Sequence, residues 1–206
     1  MGTDMINVVT TALTIIRQSS YTATPWRNGG GTTFEAIRAP AGADSFRWRV
    51  SVANIEVSGP FSDFAGYRRT MVLLRGAGLT LQFAAGHNCV LRKIGDLADF
   101  DGADAAFCEL HDGPCVDLNF MVSNSMRSAV RILGVDNSAP VHAFDEESTL
   151  ILSIADPMLL HSDAGETVKL EPWDLAVLSH GSARLGKAEP AARSSPSAVF
   201  FATISL

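Results

Sequence analysis

Long apolar runs are missing from this chain of 206 residues. Nothing in it approaches the roughly 18 consecutive apolar residues that a membrane-spanning helix needs. The N-terminus carries acidic Asp4 where a secretory signal has basic residues, and no small-residue cleavage site follows the stretch Val8–Ile16. Position 6 is Ile6, so the myristoylation pattern also fails. Positive charge is scarce and scattered: the net charge is −6, and Arg68–Arg69 is the longest basic cluster. Two arginines make no phosphate-tracking stripe, so neither a nucleic acid nor a membrane is expected as a partner. The three cysteines, Cys89, Cys108 and Cys115, are odd in number and lack CxxC spacing. A disulfide framework is therefore not expected, and a reducing, cytoplasmic setting is. The five histidines, His87, His111, His142, His161 and His180, show no HxH, HxxxH or HExxH spacing. No metal site and no cofactor are expected on that count. GxSxG is absent, and Cys108 and Cys115 read as core or loop residues rather than nucleophiles.

Apolar residues are plentiful, at 47% against 18% charged, a balance that suits a compact globular protein. A chain of this length can bury about 70% of its unfolded surface and needs no staples. The apolar residues recur with period two. In Phe46–Val57, Phe46, Trp48, Val50 and Val52 alternate with Arg47, Arg49 and Ser51, the pattern of a half-buried strand. Its aromatic and valine face belongs against a hydrophobic layer. Its arginine and serine face belongs either in water or in a polar cavity. Thr70–Leu74 and Leu79–Phe83 read as a hairpin around Arg75-Gly76-Ala77-Gly78. Cys89–Ile94 and Val116–Val122 are further strands, the latter with Asp117, Asn119 and Met121 on one face. The second half repeats the style at Thr149–Ile154, Met158–His161, Thr167–Leu170, Leu175–Leu178, Ala183–Leu185 and Val199–Ile204. Asn7–Arg17, rich in threonine and valine, is read as a strand as well. Gly42–Asp44, Gly86–Asn88, Gly95–Asp104 and His111–Pro114 read as turns, and Lys187–Ser197 as a loop. Short strands at this spacing predict an all-β sandwich or barrel protein. The softest boundary, Asn124–Ser128, divides the chain into halves 1–125 and 126–206.

Two features stand out from this background. Asn28-Gly29-Gly30-Gly31-Thr32-Thr33 follows Pro25-Trp26-Arg27. Its glycines suit either a tight turn feeding a strand from Thr32 or an anion-binding nest of N–H groups. It is not a P-loop, because the Gly-Lys-Ser/Thr ending is missing. Arg49, Ser51, Asp117 and Asn119 are polar positions on otherwise apolar strands. If their faces turn inward, each needs a partner, and Arg49 suits a small carboxylate held by charge-assisted hydrogen bonds.

Four strings together resemble the HutD/Ves family: PWRNGGGTT (Pro25–Thr33), FRWRVSVANIEVSGPFSDFAGYRR (Phe46–Arg69), VLLRGAGLTL (Val72–Leu81) and DGPCVDLNFMV (Asp112–Val122). They occur in order over about the first 120 residues. The resemblance implies a bicupin, two cupin-like β-barrels or jelly rolls packed in one chain, associated with histidine utilisation in a regulatory or ligand-sensing role. Metal-binding cupins carry two histidines, a glutamate and a glycine turn. Aligned on Gly76, Asp63 and Ala65 fall near the histidine places and Arg69 at the glutamate, which replaces a cation site by positive charge. In the second half, Glu171-Pro172-Trp173-Asp174 resembles the cupin Pro-Gly-Asp turn with tryptophan for glycine. No histidine pair precedes it, so that barrel reads as structural.

The leading expectation is a metal-free protein that binds a small carboxylate of the urocanate or formylated-glutamate type. Its pocket would be lined by Trp26, Asn28, Arg49, Ser51, Arg69 and Asn119. Arg49 and Arg69 neutralise the acid, Asn28, Ser51 and Asn119 orient it, and Trp26 packs on its flat part. A second reading is a cupin isomerase or hydrolase with Asp117 or His111 as general acid/base. A third is an interaction module, homodimeric through an exposed sheet edge.

Overall fold

The alternation read in the sequence becomes a four-sheet, all-β architecture. The computed structural model describes residues 13–43, 45–135, 139–143, 148–179, 181–188 and 197–205, with backbone alone for 139–143 and 181. In chain order its strands are β1 (Leu13–Ile16), β2 (Thr22–Pro25), β3 (Gly31–Ala39), β4 (Trp48–Ile55), β5 (Gly59–Pro60), β6 (Tyr67–Arg75), β7 (Leu79–Phe83), β8 (Asn88–Leu91), β9 (Leu97–Asp101) and β10 (Ala106–Leu110). There follow β11 (Cys115–Ser123), β12 (Arg127–Gly134), β13 (Ala139–Ala143), β14 (Ser148–Ser153), β15 (Met158–Ser162), β16 (Thr167–Leu170), β17 (Leu175–Leu178), β18 (Gly181–Lys187) and β19 (Ala198–Ser205). The N-terminal half pairs a six-stranded sheet, β2-β3-β4-β11-β6-β9, with a four-stranded one, β5-β10-β7-β8. The C-terminal half pairs β1-β17-β14-β19-β12 with β13-β18-β15-β16. This is the expected bicupin.

Three cores hold it together. The aromatic and valine face of β4, with Trp48, Val50 and Val52, joins Val116, Leu118, Phe120 and Val122 of β11. That layer packs on Leu150, Leu152, Leu175, Phe200 and Ile204 of the other half. The Phe120 and Phe200 rings meet edge to face across it, 5.7 Å apart. The hydrophobic layer that the β4 pattern calls for is thus the seam between the two barrels. Each of these side chains, fully buried, contributes about 1.5–3 kcal/mol. The other two clusters fill the barrels themselves, around Leu73, Leu79, Leu81 and Leu91 in one and Ile151, Leu160, Leu170 and Leu185 in the other.

The sequence reading needs correcting at several strands. Gly95–Asp104, expected to be a turn, contains β9, and β2, β5, β10, β12 and β13 were not expected. Every residue of β12 is exposed or only half-buried, so no apolar alternation marks it. Strand β1, at residues 13–16, pairs antiparallel with β17, far along the chain. Residues 7–12 of the strand expected over Asn7–Arg17, and residues 189–196 of the expected loop, lie outside the described residues.

The link from β1 to β2 is fastened to the C-terminal half at the Glu171–Asp174 turn. Trp173 holds φ 68°, so tryptophan stands in the left-handed conformation that favours glycine. Its ring N–H donates to Ile154 O at 2.9 Å, and its carbonyl accepts from the Tyr21 hydroxyl at 2.6 Å. Buried Asp174 accepts from Arg17 Nη1 at 2.6 Å, Gln18 N at 2.9 Å and Glu171 N at 3.0 Å. Pinning residues 17–21 in this way fixes where β2 and the glycine-rich turn begin.

Candidate functional site

Because successive side chains of a strand point to opposite faces, committing Trp48, Val50 and Val52 to the seam commits Arg49 and Ser51 to the barrel interior. The same holds on β11, where Asp117, Asn119 and Met121 face inward. Register sets them in rows. Met121 lies between Arg49 on β4 and Arg69 on β6, and Asn119 lies beside Ser51. Together they border a cavity of about 420 Å³. All six residues named from sequence, Trp26, Asn28, Arg49, Ser51, Arg69 and Asn119, line it.

The two arginines are caged by aromatic rings. The Arg49 guanidinium lies 5.2 Å from the centroids of both Phe46 and Phe64. That of Arg69 lies 5.1–5.3 Å from Phe61, Phe64 and Phe100. Phe64 therefore sits between the two cations, and cation–π attraction helps keep them charged in a dry place. Arg69 donates from Nη2 to Asn119 Oδ1 at 2.8 Å and is only 5% exposed. Burial lowers its pKa to about 10, opposed by Asp117. Burial likewise lowers that of Arg49, opposed by Glu35. The Nε atoms of both have no hydrogen-bond partner among the described residues. On the cavity floor Asn119 Nδ2 donates to Asp117 Oδ2. Burial pushes the Asp117 carboxyl up to about 7 against the pull of Arg69. Its Oδ1 and the Ser51 hydroxyl are also without partners among the described residues.

Sequence reasoning missed Glu35 and Arg38, which line the same cavity. Three residues apart, they belong to opposite faces of a regular strand. A bulge between Glu35 and Ile37 brings them to one face, opposite Ser51 and Arg49. Arg38 then pairs with Glu35 through Nε at 2.6 Å and Nη2 at 2.5 Å. Phe61 and Phe64 were missed as well. They lie in the 61–66 loop, where no periodicity marks them, although both stand in the string Phe46–Arg69 that carries the family resemblance.

The glycine string is a turn, not an anion nest. Gly29 N donates to Trp26 O at 3.0 Å and Gly30 N to Asn28 Oδ1 at 3.0 Å, so these donors are used inside the loop. Gly31 is dictated by contact: a Cβ there would stand 2.3 Å from Asn54 O and 3.1 Å from the Trp26 ring. Trp26 is thereby seated against the start of β3, with its Nε1 donating to Thr33 Oγ1 at 2.8 Å and its ring edge-on to Phe61. Asn28, which lines the cavity, spends its side-chain carbonyl on the turn.

His111, named as an alternative acid/base, does not line the cavity. It is half-buried rather than solvated, with Nε2 2.8 Å from Thr80 Oγ1. The places that hold a metal in metal-binding cupins do not converge here either. Asp63 is exposed and accepts from Ala65 N at 2.8 Å within its own turn. No group of three or more His, Cys, Asp or Glu able to hold an ion occurs among the described residues. The residues present do not fit that ion.

The HutD family model matches residues 18–194. An uncharacterized 21.2 kDa protein in the hutC 3′ region of Pseudomonas putida is 34% identical over 158 residues, 76% of this chain and 81% of that protein. Protein Ves of Escherichia fergusonii is 34% identical over 109 residues, 52% of this chain and 56% of its own length. The alignment thus spans little more than half of Ves. Among solved structures, HutD from Pseudomonas fluorescens is similar with a TM-score of 0.77 at 27% identity, covering 94% of this chain and 98% of that one. Vicilin from Capsicum annuum shares the fold alone, with a TM-score of 0.67 at 11% identity over 92% and 85% of the two chains.

Proposed function

The chain belongs to the HutD family, and we propose that it is a metal-free binding protein for a small carboxylate, with a regulatory or accessory part in histidine utilisation. The observation that carries this reading is the pair of arginines flanking Met121, Arg69 buried and Arg49 half-buried, each with an Nε that has no partner among the described residues beside a cavity. A buried cation without its full set of hydrogen bonds costs stability, and a carboxylate supplies both the charge and the acceptors. Trp26 and Phe61 offer the flat, apolar wall for the rest of the ligand. The name of the Pseudomonas putida relative sets that protein next to hutC, which supports the histidine-utilisation setting. The reading implies a cytoplasmic location. Among the described residues no helix is long and apolar enough to cross a membrane.

Isothermal titration with urocanate and with N-formylglutamate tests it. The expected result is saturable binding that Arg49→Ala weakens by about 10- to 100-fold, the loss of one charge-assisted contact. Equal binding by both proteins removes Arg49 from the site, and no binding of either acid by wild type overturns the reading. One observation favours a catalytic second reading: Asp117 borders the cavity with a pKa near 7, where a general acid/base works best. Turnover of either acid, abolished in Asp117→Asn with binding intact, would select it.

A further inference from the structure

We propose that the cavity also recognises a hydrogen-bond donor on its ligand, through Asp117 Oδ1 and Ser51 Oγ. The acid it takes is then bipolar, with a carboxylate at one end and a ring, amide or imine N–H at the other. The proposal rests on the carboxylate reading above and adds a requirement to it.

Seven buried side-chain polar atoms lack a partner among the described residues, and four belong to residues lining this one cavity. Two are donors, Arg49 Nε and Arg69 Nε. The other two are the carboxylate oxygen of Asp117 and the hydroxyl of Ser51. A simple carboxylate answers only the donors. Above about pH 7 it would leave ionised Asp117, which has no exposed surface, with a bare acceptor beside a second anion. An N–H at that end removes both penalties.

The bonding pattern sets the spacing. Arg69 Nη2 donates to Asn119 Oδ1, and Asn119 Nδ2 donates to Asp117 Oδ2. One amide and two hydrogen bonds therefore separate guanidinium from carboxylate, about 6–7 Å. A ligand lying along that bridge needs its N–H at a similar distance from its carboxylate, a few bonds along a small acid. The same bridge fixes the polarity of the floor. With Asn119 Nδ2 already donating to residue 117, the atom left facing the cavity is an acceptor when the carboxyl is ionised, the form that prevails at about pH 8.

The test is isothermal titration of the full chain at about pH 8 with two probes of one shape. Urocanate carries an acrylate on a ring with N–H, and 3-thienylacrylate carries it on a ring without one. Wild type is expected to bind urocanate at least about tenfold more tightly. In Asp117→Asn the new amide turns its oxygen to Asn119 and its NH2 to the cavity, so a donor meets a donor. The preference is then expected to fall to about threefold or less, while thienylacrylate binds as well as before or better. Equal affinity of wild type for the two acids overturns the proposal and leaves the carboxylate reading standing. A tenfold preference kept by Asp117→Asn overturns it too, as does a parallel loss of both acids in that variant. If wild type binds neither acid, the carboxylate reading falls and this one with it. The wild-type comparison decides the matter even if the variant fails to fold.

Discussion

Arg69→Met distinguishes an arginine kept for binding from one kept for structure. Arg69 is 5% exposed, and burial takes its pKa from 12.5 to about 10. A base whose folded pKa lies below its unfolded one destabilises the fold wherever it is charged. That covers every pH below about 10, and the penalty fades only as pH climbs toward 12.5. At about 1.36 kcal/mol per unit, the cost at neutral pH is roughly 3 kcal/mol. Against this stand the charge-assisted hydrogen bond to Asn119, about 1.5–3 kcal/mol, and the attraction of the Phe61, Phe64 and Phe100 rings, of the order of 1–2 kcal/mol. Methionine fills much of the same space and itself packs well on aromatic edges. At about pH 6 the Asp117 carboxyl is mostly protonated, so the substitution leaves no unpaired anion behind. Asn119 Oδ1 loses its donor, so the terms nearly cancel and Arg69→Met is expected to lie within about 2 kcal/mol of wild type in stability. That is a shift of no more than roughly 8 °C in Tm for a chain of this size. Carboxylate binding should fall by about 100-fold or more. Urea denaturation and calorimetric titration check the two halves. A loss of more than about 2 kcal/mol at pH 6 would refute the reasoning and make Arg69 a strut of the fold.

Three further outcomes are expected. Asp117 has a folded pKa raised from 3.8 to about 7, so the stability it contributes is full below about pH 4 and is lost as pH rises through 7. The loss is roughly 4 kcal/mol at most. Asp117→Asn should flatten the pH dependence of the urea midpoint between about pH 5 and 7.5, and parallel curves would count against a buried carboxyl. Gly31→Ala forces a methyl to within 2.3 Å of Asn54 O, so β3 must shift from β4 or Trp26 must leave its seat. A destabilisation of about 2–3 kcal/mol and a red-shifted tryptophan emission should follow, and a melting point within about 1 °C of wild type would show that the turn relaxes freely. Asp174→Ala removes the acceptor for Gln18 N, Glu171 N and Arg17 Nη1 and should cost about 2–4 kcal/mol by urea denaturation. A cost below about 1 kcal/mol would mean that the 17–21 link is held by Trp173 and Tyr21 instead.

Strand β4 and strand β11 were readable because each is central and each separates two environments. Period two then writes the seam on one face and the cavity on the other. Arg49, Ser51 and Asn119 follow from that pattern, while Arg69 came into view only through the family resemblance. Glu35 and Arg38 did not, because a bulge changes the period by one residue and no local feature of GTTFEAIRA announces it. Strand β9 was hidden by Gly95, Asp96, Asp99 and Asp101. Two of these acids serve turn backbone, Asp96 capping Arg92 N and Lys93 N and Asp101 capping Ala103 N, while Asp99 pairs with Arg68 from within the strand. The attachment of β1 to β17 joins residues more than 150 positions apart and leaves no trace in either segment alone.

The same physics explains how a barrel can hold two arginines and an aspartate inside. Sliding β4 or β11 by one residue would turn Trp48, Val50, Val52, Leu118 and Phe120 out of the seam and push polar groups into it. Each misplaced apolar side chain forfeits about 1.5–3 kcal/mol, so the slipped register is worse by far more than the few kcal/mol that the buried charges cost. The inward direction of Arg49, Asn119 and Asp117 is therefore enforced by side chains that never touch them. A pocket of this kind is free to carry charges unfavourable to the empty protein, since its geometry does not depend on their being comfortable. That freedom suits a binding site, where the missing partners are supplied by what enters.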